Sequence, residues 1–235
     1  MIRAVLFDLD GTLLRLDTGR FIEAYVRLLA QWFSPRIPPE RFVPRLLAAT
    51  RRMLDNRDPA KTTKEVFDEA FYPALGLDAA AMAPFIAQFY ERAHPALRSL
   101  AAADPAARRA VQVVLDRGRR AVLATNPIFP DVAVRQRMAW AGIADLPFAL
   151  VTTYETAHFC KPHREYFLEV ARAVGCDPQE CLFVGNDGVE DRVATEVGMQ
   201  TYLVTDHLVN PGSARAETAA RGGLAELPDF LAAVL

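Results

Sequence analysis

The stretch IRAVLFDLDGTLL, residues 2–14, joins a short apolar run to two aspartates, a glycine and a threonine. Such a run predicts a strand that is buried on both faces of a parallel sheet. Side chains two residues apart point to the same side of a strand, so Asp8 and Asp10 are expected to face one site beyond its end. Burying two carboxylates is unfavourable unless they are paired or bind a metal, which suggests a functional site. Taken alone, the pattern also fits a strand followed by an ordinary acidic turn.

Composition and charge exclude several classes of protein. The chain has 235 residues, 51% of them apolar and 24% charged, enough for one large domain or a core with a smaller one. A net charge of −2 gives no basic field, so neither nucleic acid nor a membrane surface is expected as a partner. No apolar stretch approaches the roughly 18 residues of a membrane span, and no signal-peptide pattern precedes the first strand. The three cysteines lack CxxC spacing, so we expect free thiols and a cytoplasmic protein.

A helical periodicity follows the opening stretch. From residue 16 to residue 97 apolar side chains recur at three- and four-residue steps, which predicts four helices separated by prolines and glycines. Thr18 and Asp78 are expected to cap the first and the fourth of them. We therefore predict an all-helical domain at residues 16–97, inserted into a core formed by residues 1–15 and 98–235. Basic residues of the insert are expected mostly to face solvent, with a substrate contact as the alternative: Arg20, Arg51, Arg52, Lys61 and Lys64.

Strands alternate with helices in the remainder of the chain. A helix-capping signal at Asp104–Pro105 begins this region. Apolar runs then predict strands at residues 121–124, 148–152, 181–184 and 201–204. The alternation predicts an α/β fold with right-handed crossovers and a mostly parallel sheet sandwiched by helices.

Polar side chains cluster at the predicted carboxyl ends of the strands, where open α/β sheets bind ligands. They are Asp8, Asp10, Thr125, Asn126, Asp187 and Asp191, with Lys161 in a neighbouring loop. Clustered carboxylates repel one another, and Mg²⁺, which uses one or two of them together with waters and phosphate oxygens, is the expected neutralising cation. Thr125, Asn126 and Lys161 are suited to donate hydrogen bonds and positive charge to a phosphoryl group. Asp8 can then attack phosphorus, and Asp10 is placed to transfer protons.

Four motifs, in order along the chain, resemble those of the haloacid dehalogenase-like (HAD) hydrolase superfamily. They are DxDGT, a hydroxyl at the second strand end, Lys-Pro and GNDxxxD. The resemblance extends over essentially the whole chain and implies a Rossmann-like core with the first strand central. The helical insert directly after that strand is similar to the cap of the phosphoglycolate phosphatase and β-phosphoglucomutase branch.

The resemblance also implies roles for individual residues. Asp8 is expected to be the nucleophile and a metal ligand, and Asp10 the general acid and base, with its main-chain carbonyl also on the metal. Lys161 is expected to steady the nucleophile and the phosphate. The remaining expectations are Thr12, Thr125 and Asn126 for phosphate binding, Asp187 for the metal, and Asp191 and Asn186 for support.

One position departs from the pattern of the family. Asn186 stands where relatives often carry an acid, with a second acid four or five residues later. The spacing of Asp187 and Asp191 fits the shorter version of the motif, which favours Asp187 as the metal ligand and Asp191 as its support.

The expected function is a Mg²⁺-dependent phosphatase that hydrolyses a small phosphorylated metabolite, as a monomer or a homodimer. A sugar-phosphate mutase shares the motifs and the cap, and it stays open as an alternative. A phospho-acceptor signalling protein also gathers Asp, Thr and Lys at strand ends and is the non-enzyme alternative. Asp10 argues against a haloalkanoate dehalogenase, because that reaction has no leaving alcohol to protonate.

Overall fold

This computed structural model describes residues 1–211 and 220–235. Within these ranges, a six-stranded parallel sheet forms the centre of the fold. In chain order the described strands are β1 (Ala4–Phe7), β2 (Arg15–Leu16), β3 (Ala101–Ala102), β4 (Arg120–Leu123), β5 (Leu150–Val151), β6 (Cys181–Gly185), β7 (Gln200–Val204) and β8 (Ala220–Gly222). The order across the sheet is β5-β4-β1-β6-β7-β8, so β1 is an inner strand, as the resemblance implies.

The apolar run of β1 is buried on both faces of the sheet. Val5 and Phe7 belong to one apolar cluster and Ala4 and Leu6 to the other, because side chains alternate along a strand. Parallel neighbours β4 and β6 pair with β1 on either side. The N–H of Asp8 continues this pairing by donating to the carbonyl of Val184 at 2.8 Å. The predicted buried strand is thus confirmed, and its end lies beside those of its neighbours.

Helices cover both faces of the sheet. In chain order they are α1 (Thr18–Phe33), α2 (Pro39–Leu54), α3 (Thr63–Leu75), α4 (Ala79–Arg92), α5 (Pro105–Asp116), α6 (Asp131–Trp140), α7 (Arg164–Ala173), α8 (Val193–Glu196) and α9 (Leu227–Val234). Helices α5, α6 and α9 pack on one face through Val111, Val134 and Leu231. Helices α7 and α8 pack on the other through Phe167 and Ala194. The predicted helix-sandwiched α/β fold is confirmed.

The insert consists of helices α1–α4 and a following 3-10 helix. An aromatic cluster joins the helices: Phe33 stacks on Phe42 with ring centroids 4.5 Å apart, and Phe71 meets both rings edge-on. The residue that caps the N-terminus of α1 differs from the predicted one by one position. Asp17 is the cap and accepts a hydrogen bond from the N–H of Arg20, whereas Thr18 is the first helical residue.

An antiparallel ribbon of β2 and β3 lies where the chain enters and leaves the insert. It pairs Arg15 with Ala102 and Leu16 with Ala101. The guanidinium of Arg15 also lies 3.4 Å from the carboxylate of Asp104. The sequence did not predict this ribbon, because two residues a strand are too few to show a period. The ribbon holds the two connections together, at or just after the predicted domain boundaries.

Most other predicted elements are present, with their ends moved by one or two residues. The strand predicted at residues 148–152 is reduced to β5. The sequence also predicts an amphipathic turn from residue 224 onwards, and the structure has the helix α9 there. Strand β8 was not predicted. The sequence also predicts a Pro/Gly-rich loop at residues 210–213, which lies partly outside the described residues. The three cysteines are free, as expected, and all three are buried.

No helix in the described ranges is by itself long and apolar enough to cross a membrane. Helix α3 and the segment Ala79–Leu100 meet the criteria of length and composition only together, and they are bent by 102° where they join.

His94, which lies between the insert and α6, is expected to make stability depend on pH. Its ring stacks on Trp140 with centroids 5.3 Å apart, and Nδ1 lies 2.6 Å from Oε1 of Gln136. Burial lowers the pKa of His94 to about 4. Below an unfolded-state pKa of about 6.5, the unfolded chain therefore binds a proton that the folded protein does not bind. The stability contributed by the neutral ring is present above that value and is lost as the pH falls towards 4.

Between pH 7 and pH 5 we expect the free energy of unfolding of the wild type to fall by about 2 kcal/mol more than that of His94→Phe. Urea unfolding of both proteins at the two pH values measures this difference. The carboxylates are common to both proteins, so their titrations cancel in the comparison. Equal pH dependence of the two proteins would contradict a buried neutral imidazole.

Candidate active site

A cavity lies at the carboxyl ends of β1, β4 and β6, between the sheet and the first two helices of the insert. Its volume is about 800 Å³, including the solvent at its opening. All the predicted site residues except Thr12 line it: Asp8, Asp10, Thr125, Asn126, Lys161, Asn186, Asp187 and Asp191. The fold therefore brings together residues that are far apart in the sequence.

Lys161 forms the centre of a buried ion-pair cluster. Its side chain is 2% exposed, and its ammonium donates to Oδ1 of Asp8 at 3.1 Å and to Oδ1 of Asp191 at 3.0 Å. The ammonium also lies 4.6 Å from the centre of the Phe183 ring. An unpaired charge at this depth is strongly unfavourable, so each member of the cluster depends on the others.

Three acids of the cavity have raised pKa values, mainly because they are buried and partly because they repel neighbouring carboxylates. Burial raises the pKa of Asp8, and the neighbouring Asp10 raises it further against the opposing effect of Lys161. Burial also raises the pKa of Asp191 to about 6 and that of Glu190 to about 7. Burial favours the neutral amine of Lys161, but the attraction of Asp191 and Asp8 outweighs it and raises the pKa. One lysine does not neutralise all these carboxylates.

The turn after β1 is determined by a close contact between Gly11 and Asn186. Gly11 has a φ of +80°, and a Cβ at this position would lie 2.2 Å from Nδ2 of Asn186. Nδ2 donates to the carbonyl of His207 at 2.7 Å, and Oδ1 of Asn186 accepts from the hydroxyl of Thr12 at 3.2 Å. The same hydroxyl lies 3.4 Å from Oδ2 of Asp8. Thr12 therefore supports this turn, and its contact with phosphate stays a prediction.

The loop after β6 places its two aspartates in different environments. Oδ1 of Asp187 accepts from the N–H groups of Val189 and Glu190 at 2.7 and 2.9 Å, and Nδ2 of Asn210 donates to Oδ2 at 3.0 Å. Oδ2 of Asp191 accepts from the N–H of Asp187 at 2.8 Å, while its Oδ1 accepts from the lysine. Asp191 thus joins the buried cluster directly, whereas the carboxylate of Asp187 stabilises its own loop.

The loop after β4 presents Thr125 and Asn126 to the cavity, as the sequence predicts. The carbonyl of Thr125 accepts hydrogen bonds from the hydroxyls of Thr152 at 2.6 Å and Tyr166 at 2.9 Å. Oδ1 of Asn126 accepts from the main-chain N–H of Lys161 at 3.2 Å. These bonds fix the loop and tie it to the lysine of the ion-pair cluster.

Arg137 is a buried partner of Asp10 that reasoning from the sequence missed. It comes from α6, is 0% exposed and pairs through Nη1 with Oδ2 of Asp10. Its guanidinium carbon lies 4.2 Å from the centre of the Phe129 ring. Within the described part of the chain, Asp10 Oδ1 and Arg137 Nη2 have no hydrogen-bond partner. Helical periodicity gives no signal for such a pair, because an arginine on this helix also fits an exposed face.

Glu190 is a second residue that was missed, although it lies in the quoted Gly185–Asp191 motif. Its side chain lines the cavity, and Nδ2 of Asn126 lies 3.5 Å from its Oε2. Because Glu190 lies between the two aspartates of that motif, the sequence could have indicated it as a site residue.

The acids of the cavity suit a hard divalent cation. The described lining contains five carboxylates and one lysine: Asp8, Asp10, Asp187, Glu190 and Asp191 against Lys161. A cation would relieve the repulsion that contributes to the raised pKa values of Asp8, Glu190 and Asp191. Among the described residues, no three acid, histidine or cysteine side chains already converge as a complete metal site. Mg²⁺ does not need one, because it keeps waters and binds phosphate oxygens.

Comparison with known proteins points to one family. A model of haloacid dehalogenase-like hydrolases matches residues 2–195. Phosphoglycolate phosphatase from Xylella fastidiosa (strain 9a5c) is 26% identical over 234 residues, covering 97% of this chain and 91% of that protein. A Thermotoga maritima structure provisionally described as beta-phosphoglucomutase aligns over 100% of both chains, with a TM-score of 0.61 and 21% identity. The structure of a 2-haloacid dehalogenase from Pseudomonas syringae pv. Tomato DC3000 also aligns over 100% of both chains, with a TM-score of 0.64 and 23% identity. At these identities the two structures show the fold alone.

Replacing Arg137 by Met would remove the fully buried charge of its pair with Asp10, whose side chain is 14% exposed. Asp10 then stays mostly buried without its partner, so we expect the free energy of unfolding to fall by about 3–5 kcal/mol. The double variant Asp10→Asn/Arg137→Met is expected to be more stable than Arg137→Met, because the unpaired charge is gone. Chemical denaturation of the wild type, both single variants and the double variant gives the coupling free energy of the pair. If the effects of the two single substitutions on the free energy of unfolding add up to that of the double variant, the pairing is contradicted.

Proposed function

The chain belongs to the haloacid dehalogenase-like hydrolase family, and from this we propose that it is a Mg²⁺-dependent phosphatase acting on a small phosphorylated metabolite. The observation that carries the proposal is the buried cluster of Asp8, Lys161 and Asp191 at the carboxyl end of β1. Thr125 and Asn126 line the same cavity and suit a phosphoryl group as hydrogen-bond donors. The relative named phosphoglycolate phosphatase supports this class of reaction.

In the proposed reaction a carboxylate oxygen of Asp8 attacks phosphorus, and the bond between phosphorus and the ester oxygen breaks. Asp10 gives a proton to the departing alcohol oxygen. It then takes a proton from the water that attacks the aspartyl phosphate, which releases inorganic phosphate and restores Asp8. Lys161, Thr125 and Asn126 stabilise the charge on the phosphoryl oxygens during transfer.

We propose that Asp8, the main-chain carbonyl of Asp10 and Asp187 hold the Mg²⁺. The ion would supply charge that offsets the repulsion between the phosphate and the carboxylates. Asp187 lines the cavity, and the metal would compete with the contacts that its carboxylate now makes within its own loop. Asp191 supports the site through the lysine, and Asn186 supports it through the turn after β1.

A sugar-phosphate mutase is the second candidate, because the structural similarity includes the Thermotoga maritima protein described above. A mutase needs the insert to exclude water, so that the aspartyl phosphate returns its phosphoryl group to the sugar. Membership of a hydrolase family argues against the signalling alternative. A cytoplasmic location and a monomeric or homodimeric state stay predictions.

Asp8→Asn is expected to reduce Mg²⁺-dependent phosphate release to below about 0.1% of the wild-type rate, because an amide is not a nucleophile towards phosphorus. The measurement is phosphate release from sugar, nucleotide, glycolate and amino-acid phosphates, with and without Mg²⁺. Asp145→Asn removes an exposed acid that pairs with Arg108 at the surface, and it serves as the control with unchanged activity.

Retained turnover in a folded Asp8→Asn protein would overturn the mechanism. Negligible release by the wild type from every ester, together with a requirement for a bisphosphate activator, would favour the mutase instead.

Asp187→Asn is expected to weaken Mg²⁺ binding more than Asp191→Asn does. Because Asp191 acts indirectly, we expect its replacement to lower the Mg²⁺ affinity about tenfold. Titration calorimetry with MgCl₂ in the absence of substrate measures both affinities. A larger loss in Asp191→Asn would exchange the proposed roles of the two acids.

A further inference from the structure

We propose that the substrate is the phosphate ester of an uncharged, mainly apolar alcohol. The inference rests on the proposed phosphatase function and concerns the part of the substrate that leaves. It follows from the two parts of the cavity lining: a charged part at the strand ends, and an apolar part that we call the apolar wall.

The apolar wall comes from the insert and from the loop after β4. Helix α1 contributes Ile22, the end of α2 contributes Leu54, and Ile128 and Phe129 belong to the loop. Thr18 adds a neutral hydroxyl to this side. An alcohol that buries apolar surface against these side chains is stabilised in proportion to the area removed from water.

A second anionic group on the substrate would meet unfavourable charges. Of the five carboxylates in the described lining, Asp10 pairs with Arg137 and two would hold the Mg²⁺, while Lys161, the one cation of that lining, is already shared by Asp8 and Asp191. A carboxylate on the leaving group would approach Glu190 or the apolar wall. Like charges repel, and burying an anion against apolar side chains without a partner is unfavourable.

The basic residues of the insert lie elsewhere. Arg51, Lys61 and Lys64 form ion pairs with acids of the insert, and their side chains are 76%, 43% and 41% exposed. Arg20 and Arg52 are exposed, and neither lines the cavity. This agrees with the expectation that these residues mostly face solvent.

A second, mostly apolar cavity lies among the helices of the insert. It has a volume of about 560 Å³, including its opening, and shares Ile128 with the catalytic cavity. Its lining is mostly aliphatic and aromatic, and the hydroxyls of Tyr25 and Tyr90 in it bond to each other at 2.8 Å. Ile128 therefore has mostly apolar neighbours on the side of this second cavity, which agrees with the apolar character of the wall.

This substrate class differs from the one in the name of the Xylella fastidiosa relative, because glycolate carries a carboxylate.

The test compares two esters of nearly equal size that differ in charge, 2-phosphoglycolate and 2-hydroxyethyl phosphate, with the wild-type protein and Mg²⁺. We expect kcat/KM to be about tenfold or more higher for the neutral ester. Along ethyl, propyl and butyl phosphate, kcat/KM is expected to rise about threefold to fourfold with each methylene that is buried.

The matched variants change the charge of the wall at one partly buried position. Ile22→Lys introduces an ammonium and is expected to shift the ratio of the two kcat/KM values towards 2-phosphoglycolate by about tenfold. Ile22→Met has a similar length without charge and is expected to keep the wild-type preference for the neutral ester.

Three results would overturn the proposed class while leaving the phosphatase function intact. They are a wild-type preference for 2-phosphoglycolate, a kcat/KM that falls along the alkyl series, or an unchanged ratio in Ile22→Lys. Absence of Mg²⁺-dependent release from every ester would instead refute the phosphatase proposal, and the substrate class with it.

Discussion

The ammonium of Lys161 between the carboxylates of Asp8 and Asp191 is the interaction on which the candidate active site depends. It joins three separate parts of the chain, since Lys161 is 153 residues from Asp8 and 30 from Asp191. A buried charge that loses its partner is far less stable than the pair, so the three segments keep one relative position. Gly185 contributes to this arrangement, because a Cβ there would lie 2.1 Å from Oδ2 of Asp191.

The two aspartates of the opening stretch have different partners. Asp8 accepts from Lys161, whereas Asp10 pairs with the buried Arg137. Burial raises the pKa of both carboxyl groups. Lys161 opposes this rise in the pKa of Asp8, and Arg137 opposes it in the pKa of Asp10. Separate surroundings for two acids only two residues apart are consistent with the separate roles proposed for them, attack on phosphorus and proton transfer.

The core and the insert contribute different parts of the cavity. The strand ends supply the carboxylates, the lysine and the hydrogen-bond donors, whereas the insert supplies Ile22 and Leu54. The ribbon of β2 and β3 pairs the two connections between the insert and the core with each other. A family fold does not choose a substrate, so the side chains of the wall carry the argument about specificity.

The sequence by itself determined the buried first strand, the alternation of strands and helices, the helical insert and most of the residues that line the cavity. These features have local signals, such as the apolar run before Asp8, the periodicity of residues 16–97 and polar residues at strand ends. Only the tertiary structure decided that Asp191 joins the buried cluster, that Asp187 bonds its own loop and that Arg137 pairs with Asp10. Asp10 and Arg137 are 127 residues apart, and a contact between distant segments leaves no periodic pattern near either residue. Such pairs are selected by packing and by the cost of burying an unpaired charge, and both depend on the folded chain.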